Sequence, residues 1–363
     1  MNKVLIVAGG SGGHIFPAVS SAEAMIKNDW EVVFVASKRN IDKKLLQDTN
    51  YKKYYLSVNP MPYKFSLKMV SFIVKFVFDV FESFFILIKE KPKVVVGFGG
   101  YVTGAIVLLA KVFRIKTVIH EQNVVLGRAN QILSKYVDKV ALSFPTQIDD
   151  SLKEKVCITG NPIRQEIIAP KKEDVLKVLS NGQKTVKLLV IGGSQGASSM
   201  NKIVVNDLVF IEDNIKEKLQ IIHIAGDIDV EWVKNAYVKH NISAKVYNYV
   251  ENINNIYKMV DIAISRAGAS AVFELAFYGI PMILIPYPNE KNSQILNARF
   301  FADKKAAFIF EEKNTKPGQI RNIVREWIEN IPITEEFIKN ARNIVELDAS
   351  RKLSEVIINV LKR

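Results

Sequence analysis

The chain alternates between short apolar runs and longer segments of helical length. The runs are continuously hydrophobic, which is typical of strands covered on both faces. Such strands, separated by helices, form parallel sheets from βαβ units. The pattern therefore predicts two doubly wound α/β domains of about six strands each. The predicted strands are residues 4–8, 32–36, 93–98, 117–120, 139–143 and 156–159 in the first half, and residues 187–191, 220–225, 244–247, 261–265, 282–285 and 307–310 in the second.

Length and composition agree with two folded domains. A chain of 363 residues exceeds one ordinary core and fits two domains of about 150–200 residues. A 48% hydrophobic and 24% charged composition excludes disordered, collagen-like and coiled-coil proteins. The polar stretch at residues 169–187 is the predicted linker.

Cysteine content and the N-terminus indicate the compartment. Cys157 is the only cysteine, so an internal disulfide and a cysteine-cluster metal site are excluded, and we expect a reducing environment. The apolar run at residues 4–8 stops at Gly9 and Gly10. It is too short for the core of a signal peptide and is better interpreted as a first strand.

The positive charge is concentrated in the first half. The net charge is +13, and residues 1–160 contain 22 Lys and Arg against 13 Asp and Glu. An excess of this size indicates an anionic partner, which could be a nucleic acid, a phosphate-rich substrate or a membrane surface.

Two glycine-rich turns each follow a predicted strand and open a helix. They are GGSGGH at residues 9–14 and GGSQGA at residues 192–197. Such turns present backbone N–H groups at a helix N-terminus, where a phosphate or sugar can approach closely. Neither fits the dinucleotide-binding glycine pattern, and no Walker A motif occurs, so a nicotinamide cofactor and an ATPase P-loop are poorly supported.

Two further polar segments follow strands of the first half. HEQN at residues 120–123 lies where ligands bind in doubly wound domains, although an ordinary polar loop would also fit. GFGGYVTG at residues 97–104 is a third glycine-rich turn. His14, at the end of the first turn, suits a general base at neutral pH or a residue that caps its own loop.

The second half carries a candidate diphosphate site. Arg266 and Gly268 follow a strand, and a helix predicted to begin near Ala269 would offer N–H groups to a diphosphate. Glu274, one turn into that helix, could accept hydrogen bonds from ribose hydroxyls or could be a solvated helix residue.

Evidence for a metal site is weak. The four histidines lack ligand spacing, and Asp227 and Asp229 form a D-x-D string of the kind that some glycosyltransferases use, but so short a string often arises by chance.

Residues 63–93 are densely apolar, but Lys75, Asp79 and Glu82 interrupt them at helical spacing. This predicts an amphipathic rather than a membrane-spanning helix. It could cover a sheet or, together with residues 105–116 and the lysines at its ends, dock on a membrane.

In their order along the chain, these motifs resemble the MurG family, which adds N-acetylglucosamine to undecaprenyl-diphospho-N-acetylmuramoyl-pentapeptide (lipid I) in peptidoglycan synthesis. The family has the GT-B fold, in which two Rossmann-like domains face a cleft. The matching segments are GGSGGH, GFGGYVTG, HEQN, GNPIR at residues 160–164, GGSQGA, SRAGAS at residues 265–270 with Glu274, and Gln294 with Asn297 and Ala298.

The resemblance implies the site residues and the domain boundaries. Residues 1–165 would bind acceptor and membrane, rejoined by a C-terminal helix at 334–363, and residues 166–333 would bind UDP-N-acetylglucosamine. His14 matches the family's candidate base, uracil falls near Val250, and ribose falls on Glu274. The implied substrate contacts are Ser11, Gly12, Gly13, Asn123, Arg164, Ser194, Val250, Ala269, Ser270, Ala271, Val272, Phe273, Glu274 and Gln294.

The chain departs from the family pattern near the diphosphate. Ala267 and Ala271 replace a serine and a threonine, so backbone N–H groups must hold more of the diphosphate, and Ser293 stands where many relatives carry His or Gln.

The implied reaction is an inverting transfer to the C4 hydroxyl of the muramoyl sugar. Arg164 and Arg266 would assist the departing UDP. The implied partners are UDP-N-acetylglucosamine, lipid I and an anionic phospholipid surface at the cytoplasmic face, with no metal, cofactor or nucleic acid. The alternatives are a related GT-B enzyme with another lipid or secondary-metabolite acceptor, a nucleotide-sugar epimerase and a non-enzymatic membrane-binding protein.

Overall fold

The computed structural model describes residues 1–58, 67–146, 148–164, 185–192, 197–288 and 293–362, without the side chains of residues 67–73 and 331–334. The chain divides into two compact units. The first contains Met1–Gln165 and Asp348–Arg363, and the second contains Glu166–Leu347. The predicted linker lies outside the described residues as far as residue 184.

The first unit is built on a parallel seven-stranded sheet. Its strands are β1 Asn2–Val7, β2 Trp30–Ser37, β3 Lys52–Leu56, β4 Val94–Gly97, β5 Lys116–Glu121, β6 Lys139–Leu142 and β7 Val156–Ile158. They pair in the order β3-β2-β1-β4-β5-β6-β7. The helices are α1 Gly12–Lys27, α2 Asn40–Leu46, α3 Leu67–Glu90, α4 Thr103–Val112, α5 Arg128–Leu133 and α14 Ala349–Asn359.

The centre of this sheet positions two of the glycine-rich turns, GGSGGH after β1 and GFGGYVTG after β4. β1 lies between β2 and β4, with Val4 opposite both Val32 and Val94. α1 and α14 pack on one face of the sheet, and α3 and α4 pack on the other. The chain therefore leaves β1 and β4 toward opposite faces, and ligands bind at such a switch point in open α/β sheets.

The second unit is built on a parallel six-stranded sheet in the order β10-β9-β8-β11-β12-β13. Its switch point lies between β8 and β11. The strands are β8 Val186–Ile191, β9 Leu219–Ile224, β10 Ala244–Tyr247, β11 Ile262–Ser265, β12 Met282–Leu284 and β13 Ala307–Ile309. The helices are α6 Ser198–Leu208, α7 Asp213–Lys216, α8 Val230–Lys239, α9 Ile253–Tyr257, α10 Ala269–Tyr278, α11 Ser293–Ala302, α12 Gln319–Glu329 and α13 Ile331–Ile344.

All twelve strands predicted from the apolar runs are present, with ends that differ by at most two residues. β3 was not predicted. It is an edge strand that pairs only with β2 among the described strands, and most of its side chains are partly exposed. Its lysines and tyrosines therefore replace the continuous apolar run of a central strand.

The chain returns to the first unit at Asp348, later than the expected residue 334. The cause is the packing of α13, whose Phe337 stacks on Phe308 of β13 with ring centroids 5.0 Å apart. α14, which follows α13, packs on the core of the first unit through Leu353 and Ile357.

α3 is the amphipathic helix expected within residues 63–93. Among the described residues, no helix is both long and apolar enough to cross a membrane.

Candidate functional site

His14 lies in the first turn of α1, directly after the turn that follows β1. Its Nδ1 is 3.0 Å from the carbonyl oxygen of Gly9 and 3.3 Å from the hydroxyl of Ser11. A carbonyl oxygen can only accept, so Nδ1 carries the proton. In the neutral ring, Nε2 is then the nitrogen that can take up a proton.

The turn after β4 packs against this histidine and its carbonyl partner. A methyl group on Gly99 would lie 3.2 Å from Nε2 of His14, and one on Gly100 would overlap the carbonyl oxygen of Gly9. Both glycines have positive φ angles, +93° and +80°. The two turns approach this closely because neither glycine carries a side chain.

We expect Gly100→Ala to lower the free energy of unfolding by about 2–4 kcal/mol, because the methyl group overlaps backbone and the φ angle is unfavourable for alanine. Gly104→Ala is the matched control, since a methyl group there would meet no atom of the described residues within 4 Å. On a helix it should be neutral or stabilising. Urea unfolding of the two variants tests this, and equal midpoints would contradict the close approach of the turns.

The HEQN loop is organised by Glu121, which is buried. Its carboxylate accepts hydrogen bonds from the backbone and side-chain nitrogens of Asn123, both at 3.0 Å. It also accepts from the backbone N–H of Gly127 at 2.7 Å and the side-chain amide of Asn130 at 2.9 Å. Glu121 thus holds Asn123 in place at the carboxyl end of β5, which is a structural role.

His120 of the same loop is a core residue. Its Nε2 is 3.2 Å from the carbonyl oxygen of Gly160, and its Nδ1 is 3.0 Å from the side-chain nitrogen of Gln122. Burial lowers the pKa of His120 to about 4, an effect that the Gly160 hydrogen bond only partly offsets. His120 is therefore neutral at physiological pH and ties β5 to the turn after β7.

Arg164 and the start of α1 form one side of this region. The guanidinium carbon of Arg164 lies 4.2 Å from the centroid of the Phe16 ring, a cation–π contact. Ser11 is the N-cap of α1, and Gly12 follows it, where a methyl group would lie 2.8 Å from the Phe16 ring. Gly13 comes next, directly before His14.

In the second unit, Glu274 is buried on α10. Its Oε2 accepts a hydrogen bond from the hydroxyl of Tyr257 at 3.1 Å. Tyr257 ends α9, the short helix that follows the loop containing Val250. This hydrogen bond therefore joins α10, which carries the predicted ribose contact, to the helix that follows the predicted uracil position.

The N-terminus of α10 has Gly268 as its N-cap. A methyl group on Gly268 would meet no atom of the described residues within 4 Å. Val272 and Phe273 are buried in the core, as is Ala269, while Ser270 and Ala271 are half-buried. Val272 and Phe273 therefore pack in the core, and the backbone N–H of Val272 already donates to the carbonyl of Gly268 at 3.1 Å.

Arg266 is held within the protein. It forms an ion pair with Glu312 at 2.5 Å and donates to the hydroxyl of Ser199 at 2.9 Å and the carbonyl of Ile285 at 3.0 Å. A guanidinium engaged in this way stabilises the turn after β11, which argues against its predicted role on the departing UDP.

Gln294 lies in the first turn of α11. Its Oε1 accepts from the backbone N–H of Tyr287 at 2.9 Å, which leaves its amide nitrogen as a donor. Asn297 is fully buried and donates to the carbonyl of Ala267 at 3.1 Å, so it links α11 to the turn before α10.

Comparison with known proteins assigns both units. Residues 4–142 match the glycosyltransferase family 28 N-terminal domain, and residues 187–354 match its C-terminal domain. A UDP-N-acetylglucosamine–N-acetylmuramyl-(pentapeptide) pyrophosphoryl-undecaprenol N-acetylglucosamine transferase of Desulfotalea psychrophila is 34% identical, with 99% of this chain and 97% of that one covered. An enzyme of the same name from Thermodesulfovibrio yellowstonii is 31% identical, with 99% of each chain covered. The chain belongs to the MurG family of glycosyltransferases.

Solved structures agree with this assignment. The crystal structure of Acinetobacter baumannii MurG is similar with a TM-score of 0.78 and 27% identity, covering 99% of this chain and 100% of that one. The glycosyltransferase of kitacinnamycin has a TM-score of 0.69 at 13% identity and shares the fold alone. The predicted GT-B fold is therefore confirmed.

One residue implied by the MurG resemblance, Ser194, lies outside the described residues.

The two aspartates of the D-x-D string form hydrogen bonds within the protein. Asp227 accepts from the side chain of Asn248 at 2.8 Å, and buried Asp229 accepts from Asn201 and Trp232 at 2.8 and 2.7 Å. In the part of the chain that is described, no group of three or more His, Cys, Asp and Glu side chains could hold a metal ion.

Sequence reasoning missed the polar side chains that hold the candidate site together. The sequence indicates Glu121 only as part of a polar loop and carries no signal for Tyr257 or Asp42. Asp42 is fully buried beside the His14 turn. A lone carboxylate in a helical segment has no sequence signal for such a role, because its partners come from distant parts of the chain.

Proposed function

We propose that the protein transfers N-acetylglucosamine from UDP-N-acetylglucosamine to lipid I, producing lipid II. Its relatives carry this activity in their names and are 31–34% identical over nearly their whole length. This similarity across both units, rather than any one motif, carries the proposal. Binding an acceptor of another class would require different residues in the first unit. That unit instead matches the glycosyltransferase family 28 N-terminal domain, just as the second unit matches the C-terminal domain.

The donor binds the second unit in this proposal. The diphosphate lies at the N-terminus of α10, where backbone N–H groups and the helix dipole favour negative charge. The ribose hydroxyls donate to Glu274, and uracil lies at Val250. Ala269, Ser270 and Ala271 contribute backbone groups, with Ser194 near the diphosphate and Gln294 donating through its amide nitrogen to the sugar nucleotide. Val272 and Phe273 support this turn of α10 from the core.

The acceptor is activated by the first unit. Nε2 of His14 takes the proton from the C4 hydroxyl as its oxygen forms a bond to the anomeric carbon, and the bond from that carbon to the UDP oxygen breaks. Attack opposite the leaving group inverts the anomeric configuration. Ser11, Gly12, Gly13, Asn123 and Arg164 surround the reacting groups. The charge that develops on UDP is stabilised by backbone amides, with Arg164 supplying a cation.

The decisive experiment is transfer of labelled N-acetylglucosamine from its UDP conjugate to a lipid I analogue without added metal ion. The expected product is a β-1,4-linked disaccharide on the lipid. Transfer to an unrelated acceptor but not to the analogue would favour another GT-B enzyme, and formation of an isomeric sugar nucleotide would favour an epimerase. UDP should protect the protein against thermal unfolding, which a protein that only binds membranes would not show.

We also propose that the first unit docks on the cytoplasmic face of the membrane, where the lipid-linked acceptor is embedded. One face of α3, the apolar surface, exposes Val77, Phe78, Phe81, Phe85 and Ile88 at helical spacing. It continues onto the end of α4, because the Phe84 and Phe113 rings are 5.7 Å apart. Phe72 and Lys68, also expected here, have side chains outside the described residues.

Basic side chains flank the apolar surface. Lys75, Lys89, Lys93 and Arg114 are exposed. Lys111 pairs with Asp138 at 2.8 Å, so it contributes less to attraction than its position along the chain suggested. Aromatic insertion and basic attraction together fit peripheral binding to an anionic phospholipid surface.

We expect the double variant Phe81→Ser, Phe85→Ser to reduce partition onto anionic vesicles about tenfold, since two exposed rings no longer insert. Added salt should weaken binding of wild type, because it screens the basic side chains over about 8–10 Å. Phe210→Ser is the matched control, as Phe210 of the second unit is 65% exposed, like Phe85. Vesicle co-sedimentation measures each, and equal losses in both variants would contradict docking through α3.

A further inference from the structure

Asp42 has no part in the chemistry set out above, yet it is fully buried beside the turn that carries His14. Both carboxylate oxygens lie 3.0 Å from the backbone nitrogen of Gly10. One of them also accepts from the hydroxyl and the backbone N–H of Ser37 at 2.5 and 3.2 Å. The carboxylate thus joins the end of β2 to the turn after β1.

These partners do not fit a simple helix-capping role. Asp42 lies in the first turn of α2, where an acidic residue commonly interacts with the N–H groups of its own helix. Its carboxylate instead reaches across to Gly10. This reach requires glycine at position 9, because a methyl group there would lie 2.6 Å from an Asp42 oxygen.

The peptide bond that Asp42 contacts is the one that orients His14. The N–H of Gly10 and the carbonyl of Gly9 belong to the same peptide group, and that carbonyl lies 3.0 Å from Nδ1 of His14. A carboxylate, a peptide and an imidazole therefore form hydrogen bonds in series. Hydrogen bonds in series polarise one another, so negative charge at the N–H end makes the carbonyl a stronger acceptor.

The effect of this series on the imidazole follows from elementary electrostatics. A stronger acceptor at Nδ1 holds the proton there, keeps Nε2 available and stabilises the ring after it gains a second proton. The described groups that face this region also include Arg39, which donates to the carbonyl of Gly10 at 3.2 Å, and Glu121, which bonds Asn130 near Gly99. Of the two carboxylates, only that of Asp42 bonds the peptide that contacts His14.

We propose that Asp42 is a positioning residue for His14 and acts through the Gly9–Gly10 peptide group. The proposal rests on the proposed function for its effect on catalysis. The coupling itself, between a buried carboxylate and an imidazole, can be measured without turnover.

The test compares Asp42→Asn with Asp48→Asn, which removes the same charge at an exposed position six residues away. The Cε1–H NMR signal of His14, assigned by its loss in His14→Ala, is followed as a function of pH. The midpoint of this titration should move to lower pH in Asp42→Asn and stay unchanged in Asp48→Asn. Asp42→Asn should lower kcat by about 10–100-fold, the size seen when a metal-ligating histidine loses its outer hydrogen-bond partner. The acid limb of the kcat/KM profile should move with the titration, while UDP affinity stays the same.

An unmoved His14 titration in folded Asp42→Asn overturns the proposal, as does a fall in kcat without a shift of the acid limb. If Asp42→Asn does not fold, Asp42→Glu replaces it, since the longer side chain displaces the charge from Gly10, and the same readouts apply with a smaller shift. Full activity in His14→Ala would instead remove the base assignment while leaving the NMR coupling intact. Failure of this proposal and failure of the proposed function are thus distinguishable.

Discussion

His14→Ala should lower turnover by about 10²–10⁴-fold, the contribution typical of a positioned general base. The structure gives the reason, since Nδ1 is engaged by the carbonyl of Gly9 and Nε2 is the nitrogen left to accept the acceptor proton. UDP affinity should change little, because His14 is not among the residues assigned to UDP binding. Steady-state transfer to a lipid I analogue and calorimetry with UDP measure the two quantities.

His240→Ala is the matched control for this variant. His240 is also partly exposed, but it ends α8 in the second unit, where its ring lies 6.0 Å from that of Phe210. It should retain wild-type turnover. If His14→Ala also turns over at the wild-type rate while remaining folded, His14 is a structural residue of its loop, and another group must accept the proton.

Glu274→Ala should weaken UDP binding by about 1.5–3 kcal/mol, or roughly 10–150-fold, because the ribose hydroxyls lose a charged acceptor. Glu274 is 5% exposed, which excludes the solvated-residue interpretation that the sequence left open. Isothermal titration calorimetry with UDP measures the change, and thermal unfolding shows whether the fold is retained.

Tyr257→Phe separates ribose binding from the internal hydrogen bond of Glu274. It removes the hydroxyl that donates to Glu274 at 3.1 Å but leaves the carboxylate in place. UDP affinity should therefore remain within a few-fold of wild type. Equal losses in both variants would mean that Glu274 acts by holding α9 and α10 together, and unchanged affinity in Glu274→Ala would contradict the ribose assignment.

Much of the fold could be predicted because its determinants are local. A central parallel strand is buried on both faces, so its continuous apolar run is visible in any short window of sequence, as at Leu5 and Val190. β3 could not be found in this way, because an edge strand does not need that pattern. The end of the second unit was also hidden, since the amphipathic helix α13 could have packed on either unit.

In the candidate site, too, the features formed by consecutive residues could be predicted, and those formed by distant residues could not. The glycine turns and His14 could be identified because a turn is formed by consecutive residues, and each motif carries its own requirement for glycine. The engagement of Arg266 by Glu312 could not, because the two residues are far apart in sequence. Arg266 was a candidate for assisting the departing UDP only because it directly follows a strand beside the predicted diphosphate site.

The sequence by itself determined two parallel α/β domains, the glycine turns at their strand ends and the family to which the chain belongs. Only the tertiary structure decided which polar groups are buried, which nitrogen of His14 is engaged and which carboxylate supports the peptide that engages it. The physical reason is that strands and turns depend on neighbours in sequence, whereas desolvation and hydrogen bonding of a side chain depend on neighbours in space. For Asp42, those neighbours are Gly10 and Ser37, which come from two separate segments of the first unit.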